Sequence, residues 1–264
     1  MPLEEIKNRQ GIIISAPTSG AGKTTVTLGL INAFARKRSV QPFKSGPDYI
    51  DSKFQSVAAD RPSYNLDTWA MSSSDILNMI GMVSPSDICI TEGSMGLFDG
   101  VISKGAGGNG STADLASITN WPVILVVDCA KQAQSVAALI TGFNSFRHDI
   151  TIGGVILNNI SSKRHEALVV SEVSKTKVPI LGVIPRSNEL TIPERHLGLV
   201  QAEDLSDLEQ LIFKLGTLIE ENCDLKAIAC TARNSFPPIS TLQKITPPAQ
   251  RIAIARDNAF TFTY

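Results

Sequence analysis

Short, almost continuous apolar runs alternate with amphipathic stretches along this chain. Short β-rich apolar runs predict strands over residues 11–15, 40–44, 87–91, 123–128, 154–158 and 180–184. Apolar positions at helical spacing predict helices over 25–38, 74–82, 112–119, 130–146, 163–176 and 205–221. A strand that is apolar at every position is buried on both faces, and Val123-Ile-Leu-Val-Val127 reads this way. Strand–helix alternation then implies an α/β fold, a mostly parallel sheet with helices on both faces. In such sheets ligands gather at the carboxyl ends of the strands.

The pattern changes near residue 232. Asn234-Ser-Phe-Pro-Pro-Ile-Ser-Thr-Leu-Gln-Lys-Ile-Thr-Pro-Pro248 has four prolines and little periodicity, which reads as a linker. A strand pattern, Arg251-Ile-Ala-Ile-Ala-Arg256, follows it. The organisation expected is therefore a main domain over 1–231, a linker over 232–249, and a separate strand within 250–264. A lone strand cannot build its own core.

Bulk properties narrow the function. The formal net charge of −1 over 264 residues leaves no basic footprint for nucleic acid. No apolar run approaches the roughly 20 residues of a membrane span, and the charged N-terminus does not read as a signal peptide. The four cysteines form no C-x-x-C pair, and Cys89 and Cys129 sit in apolar runs as core residues. A reducing cytoplasm is the expected location.

The richest chemistry lies in Ala16-Pro-Thr-Ser-Gly-Ala-Gly-Lys23-Thr24-Thr25, between the first strand and the first helix. A glycine-bearing loop leading into a helix N-terminus aims backbone N–H groups at phosphate. Gly20, Ala21, Gly22, Lys23, Thr24 and Thr25 are the expected nucleotide-binding residues. Lys23 would reach the β- and γ-phosphates and Thr24 the Mg²⁺ shell. The usual first glycine of this motif is replaced by Pro17.

Acidic residues follow other strand ends. Lys44-Ser-Gly-Pro-Asp48-Tyr49-Ile50-Asp51 presents two carboxylates, or else a turn with a helix cap at Asp48 or Asp51. Glu92, at the third strand's end, stands where an acid holds Mg²⁺ beside a phosphate loop. Asp99 follows it in a glycine-rich segment. Gly105-Ala-Gly-Gly-Asn-Gly110 reads as a lid or a plain loop, with Ser111 or Thr112 capping the next helix. Asp128 reads as a helix cap, ahead of a group that supports the site from behind. Asn158 offers an amide to a purine edge or makes a turn. His165 and His196 have no metal spacing.

Six segments occur in an order that carries a resemblance: the phosphate loop, Gln41-Pro-Phe-Lys-Ser-Gly-Pro-Asp-Tyr-Ile-Asp51, Asn65-Leu-Asp-Thr-Trp69, Glu92-Gly-Ser-Met-Gly-Leu-Phe-Asp-Gly100, Ser111-Thr-Ala-Asp-Leu-Ala116 and Pro193-Glu-Arg-His-Leu-Gly-Leu199. Together they resemble the cobyrinic acid a,c-diamide synthases, including the hydrogenobyrinic acid enzymes. The resemblance implies a fold like dethiobiotin synthetase, with ATP and Mg²⁺ as cofactors. It implies phosphorylation of the a and c acetates of a corrinoid, then displacement of phosphate by ammonia. Asp48, Asp51, Glu92 and Asp99 would be the reaction-centre acids, with Thr24, Asp48 and Glu92 around Mg²⁺. Tyr49 and Ile50 would lie beside the substrate, and Asn158 would face adenine. A homodimer is compatible with this reading.

In this family a class I glutaminase domain normally follows and supplies ammonia. Arg251 to Tyr264 resembles the opening of that domain, but no cysteine sits in a G-x-C-x-G turn. The chain given is therefore expected to depend on free ammonia. Ser94 and Phe98 are mild departures from the family pattern. Three rivals stand beside this reading. One is a diamide synthase for another tetrapyrrole, such as a nickel compound. The second is a partitioning or positioning ATPase switch, disfavoured by Thr18 where such proteins carry a second lysine. The third is an inactive remnant that still binds nucleotide.

Overall fold

The computed structural model describes residues 9–187, 202, 205, 207–235, 246–255, 257 and 260. Its elements, in order, are β1 (Arg9–Ser15), α1 (Lys23–Ala35), β2 (Val40–Ser45), α2 (Tyr49–Ala59), β3 (Tyr64–Leu66), α3 (Ser73–Met82), β4 (Ile88–Glu92), α4 (Thr112–Thr119), β5 (Val123–Asp128), α5 (Val136–Phe146), β6 (Ile152–Ile160), α6 (Lys163–Val173), β7 (Ile180–Pro185), α7 (Leu208–Asn222), α8 (Leu225–Thr231) and β8 (Arg233–Ser235). The sheet runs β3-β2-β4-β1-β5-β6-β7, with every neighbouring pair parallel. The fold is the α/β, P-loop NTPase type expected from the alternating pattern.

Two apolar layers hold the sheet. Alternate residues of β1 point to opposite faces, so Ile13 joins one layer while Ile12 and Ile14 join the other. Helices α3, α4, α5 and α6 cover the first face; α1, α2, α7 and α8 cover the second. Trp121 lies buried on the first face, and its Nε1–H donates to the Arg9 carbonyl at 3.1 Å. Among the described residues, no helix is long and apolar enough to cross a membrane.

Several expectations need correction. Helix α5 begins at Val136 rather than 130. Asp128 accepts the Ala130 N–H at 3.0 Å and the Asn159 amide at 2.9 Å, which turns the chain before any helix starts. Helix α2 was hidden by its first residues, which read as loop chemistry. The main sheet also extends past 231, because β8 pairs antiparallel with β1 through Arg9↔Ser235, Gln10↔Asn234 and Gly11↔Arg233. It occupies the β5 side of β1, where β5 pairing starts only at Ile13. The rest of the linker, 236–245, lies outside the described residues. Residues 251–255 form no strand, and Ile252 and Ile254 are exposed.

Packing around Gly11 is tight enough to test. A Cβ there would lie 2.3 Å from Cε2 of Trp121, whereas one on Gly142 in α5 meets nothing within 4 Å. Gly11→Ala should destabilise the chain by about 1–3 kcal/mol through overpacking. Gly142→Ala should stabilise it by about 0.5–1 kcal/mol, the helix preference of alanine over glycine. Urea midpoints of the two variants check the pair, and equal shifts would contradict this packing.

Candidate active site

The loop between β1 and α1 is shaped by two glycines. Gly20 and Gly22 have φ of 76° and 83°, a region other residues enter only with strain. Residue 17 is not among those with positive φ, so the loop closes with proline there. No side chain caps α1 at Gly22. A helix start leaves its first N–H groups without intrahelical partners, and here they border an open cavity, a setting that attracts anions. From the end of β6, the Asn158 amide donates to the Ala21 carbonyl at 2.9 Å. A Cβ on Gly22 would fall 2.3 Å from that amide nitrogen, so the loop and Asn158 fit only with glycine between them.

Strand register assembles the acids. In the order β2-β4-β1, Glu92 stands level with Lys44 on one side and Ile14 on the other. Glu92 is fully buried. Its Oε1 accepts from the Thr24 hydroxyl at 2.7 Å and lies 3.1 Å from Lys44 Nζ. Its Oε2 accepts from the Gln55 amide at 2.8 Å. Lys44 Nζ is also 2.5 Å from Asp51 Oδ2 and 3.8 Å from Asp48 Oδ2. Asp48 doubles as the cap of α2, where its Oδ1 accepts the N–H groups of Ile50 and Asp51 at 2.9 and 3.1 Å. The turn-and-cap alternative for this segment is thus realised, without removing Asp48 from the acidic cluster.

Charge and burial compete here. Burial pulls the Lys44 ammonium down, but Glu92 and Asp51 outweigh it and hold the group above its ordinary range. Burial raises Glu92, against the opposing pull of Lys44. Asp48 is raised by burial and then by repulsion from Asp51. Lys23 is lowered, chiefly by burial, and donates to the Met95 carbonyl at 2.7 Å.

Most sequence-predicted residues meet at one cavity of about 620 Å³, including Gly20, Gly22, Lys23, Thr24, Thr25, Asp48, Ile50, Asp51, Glu92 and Asn158. Three do not line it. Ala21 is buried behind Asn158. Tyr49 lies in the first turn of α2, outside the wall. Asp99 is exposed and accepts the Gly96 N–H at 2.8 Å, holding a turn. The glycine-rich segment 105–110 is docked rather than loose: Ala106 and Gly107 donate to the carbonyls of Trp69 and Thr68. Ser111 caps α4, accepting the Asp114 N–H. His165 bridges Ser161 and the Gln132 carbonyl, a local structural role. His196 and the segment 193–199 lie outside the described residues.

Sequence reasoning missed Lys44 and Gln55 as members of the site. Lys44 belongs to the segment 41–51, but its charge gains meaning only from cross-strand register with Glu92. Gln55 gave no local signal beyond its place four residues after Asp51. Also unforeseen is an apolar end of the cavity built by Ile184, Pro185, Leu215 and Leu218.

A family model described as the CobQ/CobB/MinD/ParA nucleotide binding domain matches residues 12–200. A hydrogenobyrinate a,c-diamide synthase of Rhodobacter capsulatus is 44% identical over 256 residues, covering 97% of this chain and 59% of that protein. A protein of the same name from a Sinorhizobium species is 45% identical over 258 residues, covering 96% and 58%. The chain therefore spans about three-fifths of the length of these curated relatives. Among solved structures, the MinC:MinD cell division complex of Aquifex aeolicus matches at a TM-score of 0.48 and 15% identity, over 80% of this chain and 96% of that one. The chain belongs to the CobQ/CobB/MinD/ParA nucleotide-binding family.

Removing the buried cation should expose the cost of the acids. Lys44→Met leaves Glu92 buried without its counter-charge, and such losses cost about 3–5 kcal/mol. The sign with pH follows. Without Lys44, the folded-state pKa of Glu92 rises further above its unfolded value of about 4.3. The folded state then holds a proton that the unfolded state has lost, so stability is fullest below that value and falls as pH rises through the folded pKa. Thermal melts from acidic to neutral pH should show a steeper loss in Lys44→Met than in the parent. Adding Glu92→Gln should flatten it.

Proposed function

We propose that this nucleotide-binding chain is the carboxylate-activating part of a tetrapyrrole a,c-diamide synthase. It would use ATP to phosphorylate the acetate side chains of cobyrinic or hydrogenobyrinic acid before ammonia converts them to amides. The observation that carries the reading is the junction of a phosphate loop with a cluster of acids around one buried lysine, in a chain whose curated relatives bear the diamide synthase name.

The chemistry follows from the leaving group. A carboxylate resists attack by ammonia because oxide is expelled poorly. If a substrate carboxylate oxygen attacks the γ-phosphorus of ATP, the bond to the β–γ bridging oxygen breaks and ADP leaves. Ammonia then adds to the acyl carbon, phosphate departs, and a proton is lost to give the amide. Positioning and charge stabilisation supply most of the catalysis in such phosphoryl transfers.

The residues suit these steps. The first turn of α1 and the Lys23 ammonium would hold the β- and γ-phosphates, with Lys23 exchanging the Met95 carbonyl for phosphate oxygen. The apolar end formed by Ile184, Pro185 and Leu215 suits a purine, with Asn158 at its edge. Mg²⁺ fits the donor set. It keeps several waters and takes few protein oxygens beside substrate phosphates, and the Thr24 hydroxyl, Glu92 and Asp48 face the same space. When bound, the ion would neutralise charge developing on the β- and γ-phosphates. Asp51, paired with Lys44, would keep the lysine near the reacting carboxylate, and Ile50 lines the same wall. Tyr49 and Asp99 would act from the rim.

The decisive test incubates the chain with ATP, Mg²⁺, ammonium and a panel of tetrapyrrole acids, with and without cobalt or nickel, and reads products by mass. Mass losses of one and then two oxygen-for-NH exchanges, with matching ADP release, are expected for the corrinoid acids. Substrate-independent ATP hydrolysis would favour a nucleotide switch instead. Lys23→Ala should abolish most nucleotide binding while leaving the melt unchanged.

Nitrogen supply gives a further expectation. Burial raises the Cys89 thiol to about 11 and the Cys129 and Cys223 thiols to about 12, the opposite of an activated nucleophile. Ammonium should support amide formation by this chain and glutamine should not. The rate should climb with pH, because only neutral NH₃ has a free lone pair. Glutamate release from glutamine by the purified chain would overturn this assignment.

A further inference from the structure

Gln55 lies in the middle of α2, entirely buried, yet it does not line the cavity. Both polar atoms of its side chain are engaged. Nε2 donates to Glu92 Oε2 at 2.8 Å, and Oε1 accepts from the Ser63 hydroxyl at 2.8 Å. Ser63 is held in turn, since its N–H donates to Ser56 Oγ at 2.9 Å and the Ser56 hydroxyl donates to the Ser52 carbonyl. A primary amide can be turned end for end, but here the choice is forced. A carboxylate accepts only, so the NH₂ must face Glu92 and the carbonyl must face Ser63.

The geometry divides the two oxygens of Glu92. Oε2 is tied to the protein through Gln55. Oε1 faces Thr24 and Lys44, on the side of the phosphate loop. Rotation of the carboxylate about its last bond would exchange these roles and turn the Thr24-facing oxygen away. Lys44 from β2 and Thr24 from α1 both meet Oε1, while Lys23 from α1 attracts and Asp51 from α2 repels the carboxylate as a whole. Oε2 is held instead by the directional hydrogen bond from the buried Gln55 amide.

We infer that Gln55 is a positioning residue: it fixes the Glu92 carboxylate so that one oxygen is kept for the Thr24 hydroxyl and the magnesium of a bound nucleotide. This rests on the nucleotide site proposed above. It adds a residue that touches neither nucleotide nor substrate. Partners that orient a metal-binding side chain are typically worth about 10–100-fold in metal affinity.

The test measures ATP binding to the purified chain by titration with a fluorescent ATP analogue, across Mg²⁺ concentrations and in EDTA. Gln55→Met keeps length and flexibility but removes both hydrogen bonds. The Mg²⁺ concentration for half-maximal binding should rise about tenfold, while binding in EDTA stays at the parental value. Glu92→Gln should raise the Mg²⁺ midpoint as well, and adding Gln55→Met to it should produce no further rise, since the carboxylate to be positioned is gone. Ser63→Ala, at a less buried position, should shift the midpoint in the same direction by less. It carries the test if Gln55→Met fails to fold. An unchanged midpoint in folded variants, equal losses with and without Mg²⁺, or additive effects in the double variant would each overturn the proposal. If the parent itself bound no nucleotide, the underlying site assignment would fall and take this one with it.

Discussion

One buried ammonium sets the terms for this site. Glu92 has no exposed surface, and a lone carboxylate in that position would be driven to its neutral form. Lys44, equally buried, supplies the compensating charge and is itself held charged by Glu92 and Asp51. Neither group is tolerable alone. The pairing requires β2 to lie beside β4 with residue 44 level with residue 92. It also requires α2 to start where Asp48 and Asp51 reach the same ammonium. The strand order therefore has an electrostatic reason as well as an apolar one.

The phosphate loop is attached to this arrangement from the other side. Thr24 donates to the same oxygen of Glu92 that Lys44 approaches, which joins α1 to β4. Asn158 fastens the loop to β6 through the Ala21 carbonyl. At the site, three strands and two helices thus meet through polar and charged groups, in addition to the apolar layer they share. Local cohesion of that kind depends on charge balance, and arriving phosphate and metal charges must enter without upsetting it. Lys23 is the group with room to respond, because its present partner is a neutral carbonyl.

Legibility in the sequence followed the range of the interaction. Lys23, Thr24 and the glycines are recognised by fixed local spacing, and the loop conformation matches what that spacing demands. Strands β1, β4, β5 and β6 were visible as apolar runs because both faces of a central parallel strand are buried. Helix α2 was visible only at its start: a cap at Asp48 or Asp51 was one reading of the segment, but no helical pattern was read over Tyr49–Ala59. Lys44 and Gln55 were invisible as site residues for a different reason. Their partner is 48 or 37 positions away, and nothing local encodes which strand they will meet. Strand β8 was masked by its neighbours, a proline-rich tract that reads as linker.

That strand has a consequence for how the molecule is made. β1 bears the phosphate loop at one end, and β8 pairs with its other end, joining Gln10 to Asn234. During synthesis β1 emerges first, and its partners β4 and β5 follow within about half the chain's length. At a translation rate of about 5–20 residues per second, the last partner of β1 follows the first by several seconds. Throughout that interval one flank of Arg9, Gln10 and Gly11 has no β8 partner, and an open strand flank recruits other chains. Among the described strands, the one that closes the sheet at its centre is thus made last.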